Sequence, residues 1–182
     1  MRIITGLAKG RRLVGPDTRD TRPATDRVRE AVFSMLADRV VGAVVLDLYA
    51  GSGSFGLEAL SRGAAAVTFV EKGRRALEAL RRNISAVDLG GTVVTSDVDE
   101  FLARSRGGFD LVFIDPPWDL ASETLATQLE SLAPLLRPGA EVILSRRHSD
   151  PVPTPPKDWR VAADRRYGDT RIVMYDEDSD HS

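Results

Sequence analysis

Four residues late in the chain, Asp115-Pro116-Pro117-Trp118, place a carboxylate, two prolines and an aromatic ring directly after an apolar run. Prolines lack an N–H donor and hold the backbone extended, so nearby carbonyl oxygens stay free to accept hydrogen bonds. Asp115 and the Pro116 carbonyl could each accept one hydrogen of an exocyclic amino group, while Trp118 stacks on a planar base. This loop therefore predicts a site for an amino group on a nucleobase. A turn with a buried tryptophan is the purely structural alternative.

A glycine-rich loop lies earlier, where the apolar run 44–48 ends, and it carries Gly51, Gly53 and Gly56. Glycines allow a tight turn and let backbone N–H groups approach a ligand. The spacing also fits a dinucleotide fingerprint, and Glu71, twenty residues after Gly51, stands where that fingerprint has a ribose-binding acid. An NAD-dependent oxidoreductase is therefore an open alternative, although it gives no role to the Asp115 loop.

The rest of the chain alternates between strand-like and helix-like segments. Strands are predicted at 44–48, 66–70, 92–95, 109–114 and 140–144. Helices are predicted at 26–40, from 57, and at 73–87, 98–105 and 122–136. Such alternation predicts an α/β fold with a mostly parallel sheet and helices on both faces. After a proline-rich connector, segments 159–162 and 170–175 predict an antiparallel hairpin at the sheet edge. We expect an N-terminal arm or hairpin (1–20), one main domain (21–175) and a disordered acidic tail (176–182).

Four acidic residues fall where predicted strands end, namely Asp47, Glu71, Asp97 and Asp115. The carboxyl ends of the strands in an open α/β sheet line one crevice, which is the usual ligand site. The sequence therefore predicts that these four carboxylates converge. The alternative is that each acid only stabilises the start of the helix that follows it.

Charge is distributed unevenly along the chain. Residues 1–30 hold eight basic and four acidic side chains, a net charge of +4, which leaves −6 for the remainder of a chain whose net charge is −2. A basic arm on a mildly acidic body indicates contact with a polyanion such as nucleic acid, unless the arm is only a solvated surface. Thr25 is predicted to cap the helix that starts near it, so Arg22, Thr25 and Arg29 could face a ligand.

Composition excludes several classes of site. The chain has no cysteine and only two histidines, so disulfides, thiolate chemistry and a histidine-based metal site are not expected. No apolar run reaches about 18 residues, and the start of the chain lacks the long apolar segment of a signal peptide. We expect a cytoplasmic protein.

Taken together, the segment from Asp47 to Gly53 and the Asp115-Pro116-Pro117-Trp118 loop resemble the class I S-adenosylmethionine-dependent amino-methyltransferases. The segment from Arg22 to Glu30, which precedes the glycine loop, narrows the resemblance to the RsmD type, over about residues 2–175. That resemblance implies a seven-stranded Rossmann-like fold and methylation of a guanine N2 in small-subunit (16S) ribosomal RNA. Trp118 is a departure, because such motifs more often carry Phe or Tyr there.

The resemblance also implies roles for individual residues. Asp47 would help to bind the amino group of the cofactor, and Gly51 and Gly53 would cradle its methionine end. Glu71 would hold the ribose hydroxyls, while Asp97 and Val98 would contact the adenine. The whole expected cofactor set is Asp47, Tyr49, Ala50, Gly51, Gly53, Glu71, Asp97 and Val98. The expected catalytic set is Asp115, Pro116, Pro117 and Trp118, and the expected RNA-binding set is Lys9, Arg11, Arg12, Arg22, Thr25, Arg27 and Arg29.

Three other functions stay open from the residues themselves. A DNA or protein amino-methyltransferase could use the same loop, although no separate target-recognition domain is visible in 182 residues. The NAD-dependent oxidoreductase and a non-catalytic RNA-binding module are the others. For the leading function we expect S-adenosylmethionine as cofactor, the small ribosomal subunit or its RNA as partner, no metal, and a monomer.

Overall fold

The computed structural model describes residues 1–15 and 25–177, and the structural statements below concern those residues. The helices are α1 (Asp26–Leu36), α2 (Ser54–Ser61), α3 (Arg74–Val87), α4 (Val98–Arg104) and α5 (Ser122–Leu132), with 3₁₀ turns at Ala37–Val40 and Ala133–Leu135. The strands are β1 (Val44–Leu48), β2 (Ala66–Glu71), β3 (Thr92–Thr95), β4 (Phe109–Ile114), β5 (Leu136–Arg147), β6 (Trp159–Tyr167) and β7 (Thr170–Glu177).

The seven strands form one sheet in the order β3-β2-β1-β4-β5-β7-β6. Strands β1 to β5 pair in parallel, and β7 pairs antiparallel with both β5 and β6. The predicted α/β class, the parallel sheet and the antiparallel edge hairpin are therefore confirmed. The hairpin turns at Gly168-Asp169, as the sequence predicts.

Two hydrophobic clusters cover the two faces of the sheet. One lies beneath α1, α2 and α3 and includes Val32, Leu57 and Leu80. The other lies beneath α4 and α5 and includes Leu102 and Leu129. The strands in the middle of the sheet are almost continuously buried, as expected for parallel strands covered on both faces.

The strand order reverses at β1, which has β2 on one side and β4 on the other. The β1–α2 and β4–α5 loops leave the sheet at this switch point, on the carboxyl edge. Residue pairing places Leu48 opposite Ile114, so Tyr49 and Asp115 follow the ends of adjacent strands. Ligands of open α/β sheets bind at such a point, and here it carries the two motifs that the sequence singled out.

Several element boundaries differ from the predictions. Helix α1 ends at Leu36 and a 3₁₀ turn continues to Val40, while strand β6 runs to Tyr167 rather than to residue 162. Helix α2 begins at Ser54 rather than Leu57, because Gly53 adopts a left-handed conformation (φ 81°) at the N-cap and the helix starts directly after it. Helix α5 ends at Leu132 instead of residue 136, since Pro134 enters a 3₁₀ turn. Strand β7 runs to Glu177, so the first two residues of the expected tail are in the sheet, and 178–182 lie outside the described residues.

Strand β5 is much longer than predicted. The sequence predicts a stop at Pro138-Gly139 and a strand from 140 to 144, but the strand extends from Leu136 to Arg147. The proline and glycine are accommodated because the pairing with β4 shifts register between Phe109 and Leu111. At the other end, pairing with β7 continues to Arg147, which lies opposite Thr170.

The N-terminal segment packs onto the body of the protein. Ile3, Ala8 and Leu13 are buried in the same cluster as α1, α2 and α3. An antiparallel bridge joins Arg2 and Arg12, so residues 1–15 form a small closed loop. Residues 16–20 of the predicted arm lie outside the described residues.

A buried carboxylate on α2 anchors this segment. Glu58 is fully buried and accepts hydrogen bonds from the backbone N–H groups of Ile4 (2.8 Å) and Thr5 (3.1 Å). It also forms an ion pair at 2.8 Å with Arg62, and the Arg62 side chain is 20% exposed. One side chain thus satisfies two backbone donors and one cation, which ties residues 4 and 5 to the middle of the fold.

We expect Glu58→Ala to lower the free energy of unfolding by about 3–5 kcal/mol, because removal of one partner leaves buried polar groups unpaired. Urea unfolding measures this change. The matched control is Glu78→Ala on α3, where the pair with Arg74 spans 3.4 Å and both side chains are largely exposed. That control should cost less than about 1 kcal/mol. Equal effects of the two substitutions would contradict an anchoring role for Glu58.

Candidate active site

The glycines of the β1–α2 loop divide into two groups. At Gly51 (φ 57°), an added Cβ would meet only the Tyr49 carbonyl oxygen, 3.9 Å away, so this side of the loop is open. At Gly53 and Gly56, an added Cβ would clash with buried side chains, Leu80 and the Phe69 ring respectively. Gly51 can therefore accept a ligand at close range, whereas Gly53 and Gly56 allow α2 to pack tightly against β2 and α3.

The Glu71 carboxylate links this loop to the end of β2. One oxygen accepts a hydrogen bond from Gly51 N at 2.8 Å, and the other accepts from Lys72 N (2.9 Å) and Gly73 N (2.7 Å). Glu71 is only partly buried, so the carboxylate remains within reach of a ligand. A fixed acceptor beside an open glycine is a suitable partner for a ligand with hydroxyl groups.

Asp47 is buried in the structure, at 1% exposure, and its Oδ2 accepts a hydrogen bond from Gly56 N at 2.9 Å. Burial raises the pKa of Asp47 well above its ordinary value, and the negative charges of Asp115 and Glu71 add to this, although the Gly56 hydrogen bond opposes it. In this structure the carboxylate thus braces the start of α2, a role that the sequence did not predict.

The raised pKa of Asp47 predicts a pH-dependent stability. The folded chain keeps this proton at pH values where the unfolded chain has lost it, so the free energy of unfolding falls as pH rises from about 4 through the raised pKa. Asp47→Asn keeps an oxygen for Gly56 N but cannot ionise, and we expect its stability to decline less over that range. Urea unfolding between pH 4 and 8 measures this, and identical pH profiles of the two proteins would contradict it.

Asp97 lies at the end of β3, where it caps α4. Its Oδ1 accepts from Asp99 N at 3.0 Å, and its Oδ2 accepts from the Lys72 ammonium at 2.6 Å. The Lys72 hydrogen bond lowers the pKa of Asp97. Val98 follows as a buried residue of α4. Because the Lys72–Asp97 pair is largely exposed, little free energy opposes its exchange for another hydrogen-bond donor.

A hydrogen-bond chain that the sequence did not predict connects the β1–α2 loop to helices α4 and α5. The Tyr49 hydroxyl contacts the amide of Gln128, whose Nε2 lies 2.8 Å from it and also donates to Asp99 Oδ1 at 2.8 Å. Burial raises the pKa of Tyr49 to about 12. Tyr49 adopts a left-handed conformation (φ 57°), which is strained for a bulky residue. A signal for Gln128 was available, since it interrupts the buried stripe of Leu125, Leu129 and Leu132 on α5.

The Asp115 loop leaves the sheet beside the glycine loop. Asp115 N lies 3.4 Å from Leu48 O, Pro116 is buried, and Asp115 and Trp118 are partly exposed. The Arg147 guanidinium carbon lies 4.9 Å from the centre of the Trp118 ring, within cation–π range. An exposed face of the loop therefore carries a carboxylate, an aromatic ring and a cation together.

Arg146 supports the far end of this loop. Its side chain is 3% exposed, and it donates to the Leu120 carbonyl (2.7 Å) and to Ser122 Oγ (3.0 Å). Its ion pair with Asp150 is long, at 3.7 Å. Arg146 thus fixes the backbone between the Asp115 loop and α5. The sequence signal was weak, because an arginine at the end of an apolar strand is usually exposed.

The expected RNA-binding residues differ in their exposure to solvent. Lys9, Arg11 and Arg12 are exposed, and Arg11 also donates to the Ala86 carbonyl at 2.8 Å. Arg27 is exposed at the start of α1, where Thr25 Oγ1 accepts from Val28 N at 3.3 Å and so caps the helix. Arg22 lies outside the described residues.

Arg29 requires a correction. Its side chain is fully buried, and it donates to the Arg2 carbonyl and to Asp26 (3.0 Å) instead of facing a ligand. Burial lowers the pKa of Arg29, although Asp26 and Glu58 oppose that shift. The prediction failed because it rested on position near the helix start, whereas the N-terminal segment covers this face of α1. Arg29 is therefore a structural residue that cannot reach RNA from this position.

Neither a metal centre nor a membrane-spanning helix is found in the part of the chain that the structure describes. Within residues 1–15 and 25–177, no group of three or more His, Cys, Asp or Glu side chains is arranged to hold a metal ion. In the same part of the chain, no helix has the length and apolarity needed to span a membrane.

Comparison with known proteins gives matches over nearly the whole chain. The family model described as "Conserved hypothetical protein 95" matches residues 1–176. The Escherichia coli K12 protein named ribosomal RNA small subunit methyltransferase D is 38% identical over 178 residues, which cover 96% of this chain and 89% of that protein. The Haemophilus influenzae protein of the same name is 33% identical over 182 residues, which cover 96% and 91%.

A solved structure agrees with these matches. The Escherichia coli protein yhhF superposes with a TM-score of 0.88 at 35% identity, and the match covers 98% of each chain. The sheet order, the antiparallel edge and the loops at the switch point are thus those of a Rossmann-like methyltransferase fold. This chain therefore belongs to the family of the ribosomal RNA small subunit methyltransferase D proteins.

Proposed function

We propose that this protein transfers a methyl group from S-adenosylmethionine to the exocyclic N2 of a guanine in small-subunit (16S) ribosomal RNA. One observation carries the proposal. The loop that starts at Asp115 and the loop that contains Gly51 leave adjacent strands at the switch point of the sheet, so an amine held by the first lies next to a cofactor held by the second. The names of the Escherichia coli and Haemophilus influenzae relatives support ribosomal RNA of the small subunit as the substrate.

The residues of the site fit S-adenosylmethionine. Gly51 leaves open space beside its backbone, and the partly buried Glu71 carboxylate offers an acceptor for ribose hydroxyls. Asp97 could accept from the adenine amine in place of Lys72, and the buried Val98 side chain lies at the start of the same helix. When bound, the cofactor supplies a methyl group on a sulfonium, which is a good leaving group, and nothing in this chemistry requires a metal.

The target loop fits a guanine amino group. Asp115 and the Pro116 carbonyl would accept the two amine hydrogens and so leave the nitrogen lone pair exposed for methyl transfer. Trp118 stacks on the purine ring, with Arg147 on its other side as a cation. As the nitrogen formed its bond to the methyl carbon, the carbon–sulfur bond would break and its electron pair would leave with the sulfur as a neutral thioether, so positive charge would develop on the amine. The Asp115 carboxylate stabilises that charge before the extra proton is lost to solvent or to Asp115 itself.

A stacked or paired guanine must be extruded to reach this pocket, at a cost of a few kcal/mol. Contacts between basic side chains and phosphates can offset that cost. Recognition of one base by a protein of this size favours a shaped surface, so we propose an assembled or partly assembled subunit as the substrate. The proposal includes a monomeric enzyme that acts in the cytoplasm, where subunits are assembled.

Product analysis tests the chemistry of the proposal. Subunits that lack the modification are incubated with enzyme and cofactor, the RNA is digested to nucleosides, and the methylated nucleoside is identified by mass spectrometry. N2-methylguanosine is the expected product. Methylation of an adenine or cytosine amine, or of guanine at another atom, would refute the proposed target. Methylation of duplex DNA in preference to ribosomal RNA would favour the DNA amino-methyltransferase.

The exposed cations of the N-terminal segment give a separate prediction. Replacing Lys9, Arg11 and Arg12 by alanine should weaken RNA binding about 10–100-fold and reduce the slope of log affinity against log salt by about 2, because up to three phosphate contacts are lost. Cofactor affinity should not change, since Arg11 contacts Ala86 near the end of α3, whereas Glu71 lies just before the start of that helix. Filter binding at several salt concentrations and calorimetry with the cofactor measure the two affinities. Loss of cofactor binding would contradict this separation.

A further inference from the structure

We propose that the tip of the β6–β7 hairpin, together with the start of α1, forms a second RNA-binding surface that holds a nucleotide near the target guanine. This inference rests on the proposed function and extends it to Arg165, Arg166 and Tyr167, which have no role in that function. The surface consists of Arg27, Arg147, Arg165, Arg166 and Tyr167, and we call it the hairpin-tip surface.

A cavity of about 290 Å³ lies between the two elements that form this surface. Its walls are Thr25, Arg27, Val28, Arg166, Tyr167 and Gly168. Arg27 and Arg166 are exposed, and Tyr167 is partly buried against the cluster beneath α1. A space of this size, bounded by two guanidinium groups and an aromatic ring, suits a nucleotide, because arginines bind phosphate and aromatic rings stack on bases.

Strand pairing relates this cavity to the target loop. Arg147 on β5 lies opposite Thr170 on β7, and Thr170 lies opposite Tyr167 on β6. Adjacent strands are about 4.8 Å apart, so the Arg147 and Tyr167 backbones are separated by roughly 10 Å. Arg147 in turn contacts the Trp118 ring, at 4.9 Å. A continuous row of side chains thus leads from the proposed guanine site to the cavity.

The charge of the surface favours a polyanion. Among neighbouring acids, Asp164 is paired with Arg171 at 2.6 Å, and Asp26 is paired with Arg29 at 3.0 Å. Asp169, at the turn, and Glu30, one turn after Arg27 on α1, are exposed acids near the surface, and its four arginines outnumber them. The local excess of positive charge contrasts with the net charge of −2 for the whole chain. Such a patch attracts phosphates and orients an RNA strand over the target loop.

The position of the hairpin turn is held by the backbone. His148 N donates to the Asp169 carbonyl at 2.7 Å, and Arg166 Nε donates to the Gly168 carbonyl at 2.9 Å. The first bond joins the turn to the residue that follows Arg147 at the end of β5, and the second holds the turn itself. The surface is therefore presented in a defined position relative to Trp118, which is what a site for a flanking nucleotide requires.

The double variant Arg165→Ala/Arg166→Ala tests this proposal. We expect a KM for ribosomal subunits at least about tenfold higher, with kcat and cofactor affinity unchanged. The slope of log RNA affinity against log salt should fall by about 1.4, at 0.7 for each lost contact to a single strand. The control variant Arg104→Ala/Arg106→Ala removes the same charge from exposed residues just before the start of β4, whereas the hairpin tip lies beside the end of β5. It should leave all of these values unchanged.

A second pair of variants tests the cavity. Tyr167→Phe keeps an aromatic ring and should bind RNA as the parent protein does, whereas Tyr167→Leu should bind about tenfold more weakly. RNA affinity and salt slope are measured directly by binding, so the result does not depend on methyl transfer. If the parent protein binds subunits but modifies no guanine, the proposed function fails while the hairpin-tip surface is still tested. Equal KM and salt slope in the Arg165/Arg166 variant and its control would overturn the hairpin-tip surface.

Discussion

Asp115→Asn is expected to lower the rate of methyl transfer by about 10²–10³-fold, with cofactor affinity unchanged within about a factor of two. The carboxylate accepts an amine hydrogen and stabilises the positive charge that develops on the nitrogen. An asparagine has no charge, and its NH₂ group is a donor that would oppose the amine. Single-turnover rates with saturating cofactor and subunits measure the chemical step, and calorimetry measures cofactor binding.

The control for this experiment lies in the same loop. Asp119 is an exposed acid four residues after Asp115, and Asp119→Asn removes the same charge from the same segment. That variant should keep the parent rate within about a factor of three, because an exposed charge that does not bind the amine is largely screened by salt. Similar losses in both variants would show that general charge, rather than the Asp115 carboxylate, supports the reaction.

Glu71→Ala is expected to weaken binding of S-adenosylmethionine by about 100-fold or more. The carboxylate would accept from the ribose hydroxyls, and hydrogen bonds to charged groups contribute about 1.5–3 kcal/mol each. The same change frees the Gly51 N–H, which Glu71 holds at 2.8 Å, so the glycine loop also loses a support. Calorimetry with the cofactor and with its demethylated product measures the affinity.

Two further variants separate these contributions. Glu71→Gln keeps an oxygen acceptor and should lose less affinity than Glu71→Ala. Lys72→Ala removes the exposed partner of Asp97 but leaves Glu71 intact, and it should change the affinity by less than about threefold. An unchanged affinity in Glu71→Ala would exclude the carboxylate from the cofactor site and would place the ribose elsewhere.

Much of the fold was predictable because strands and helices differ in hydrophobic period. Strand β4 has the predicted bounds, and the hairpin turns at the predicted Gly168-Asp169. Where Pro138-Gly139 indicated the end of a helix and a loop, the structure has a strand with a register shift. The presence of a proline and a glycine in the sequence cannot show that the neighbouring strands will accommodate these two residues.

The candidate site was only partly predictable, for a related reason. Glycines and acids at strand ends appear in the sequence as motifs, and the topology of the sheet brings those motifs together. Buried polar residues such as Glu58, Gln128 and Arg146 have hydrogen-bond partners that lie 26 to 79 residues away in the chain. No local sequence pattern reveals such contacts. The misplacement of Arg29 has the same origin, since its partner is the carbonyl of Arg2.

Transfer of labelled methyl from S-adenosylmethionine tests the central claim most directly. The substrates are unmethylated small ribosomal subunits, protein-free ribosomal RNA and duplex DNA, each incubated with the parent protein and with Asp115→Asn. We predict label on the RNA of the subunits, less on free RNA, none on DNA, and a loss of about 10²–10³-fold in the variant. Absence of label on subunits and RNA despite measured cofactor binding, or equal labelling by the variant, would contradict the account.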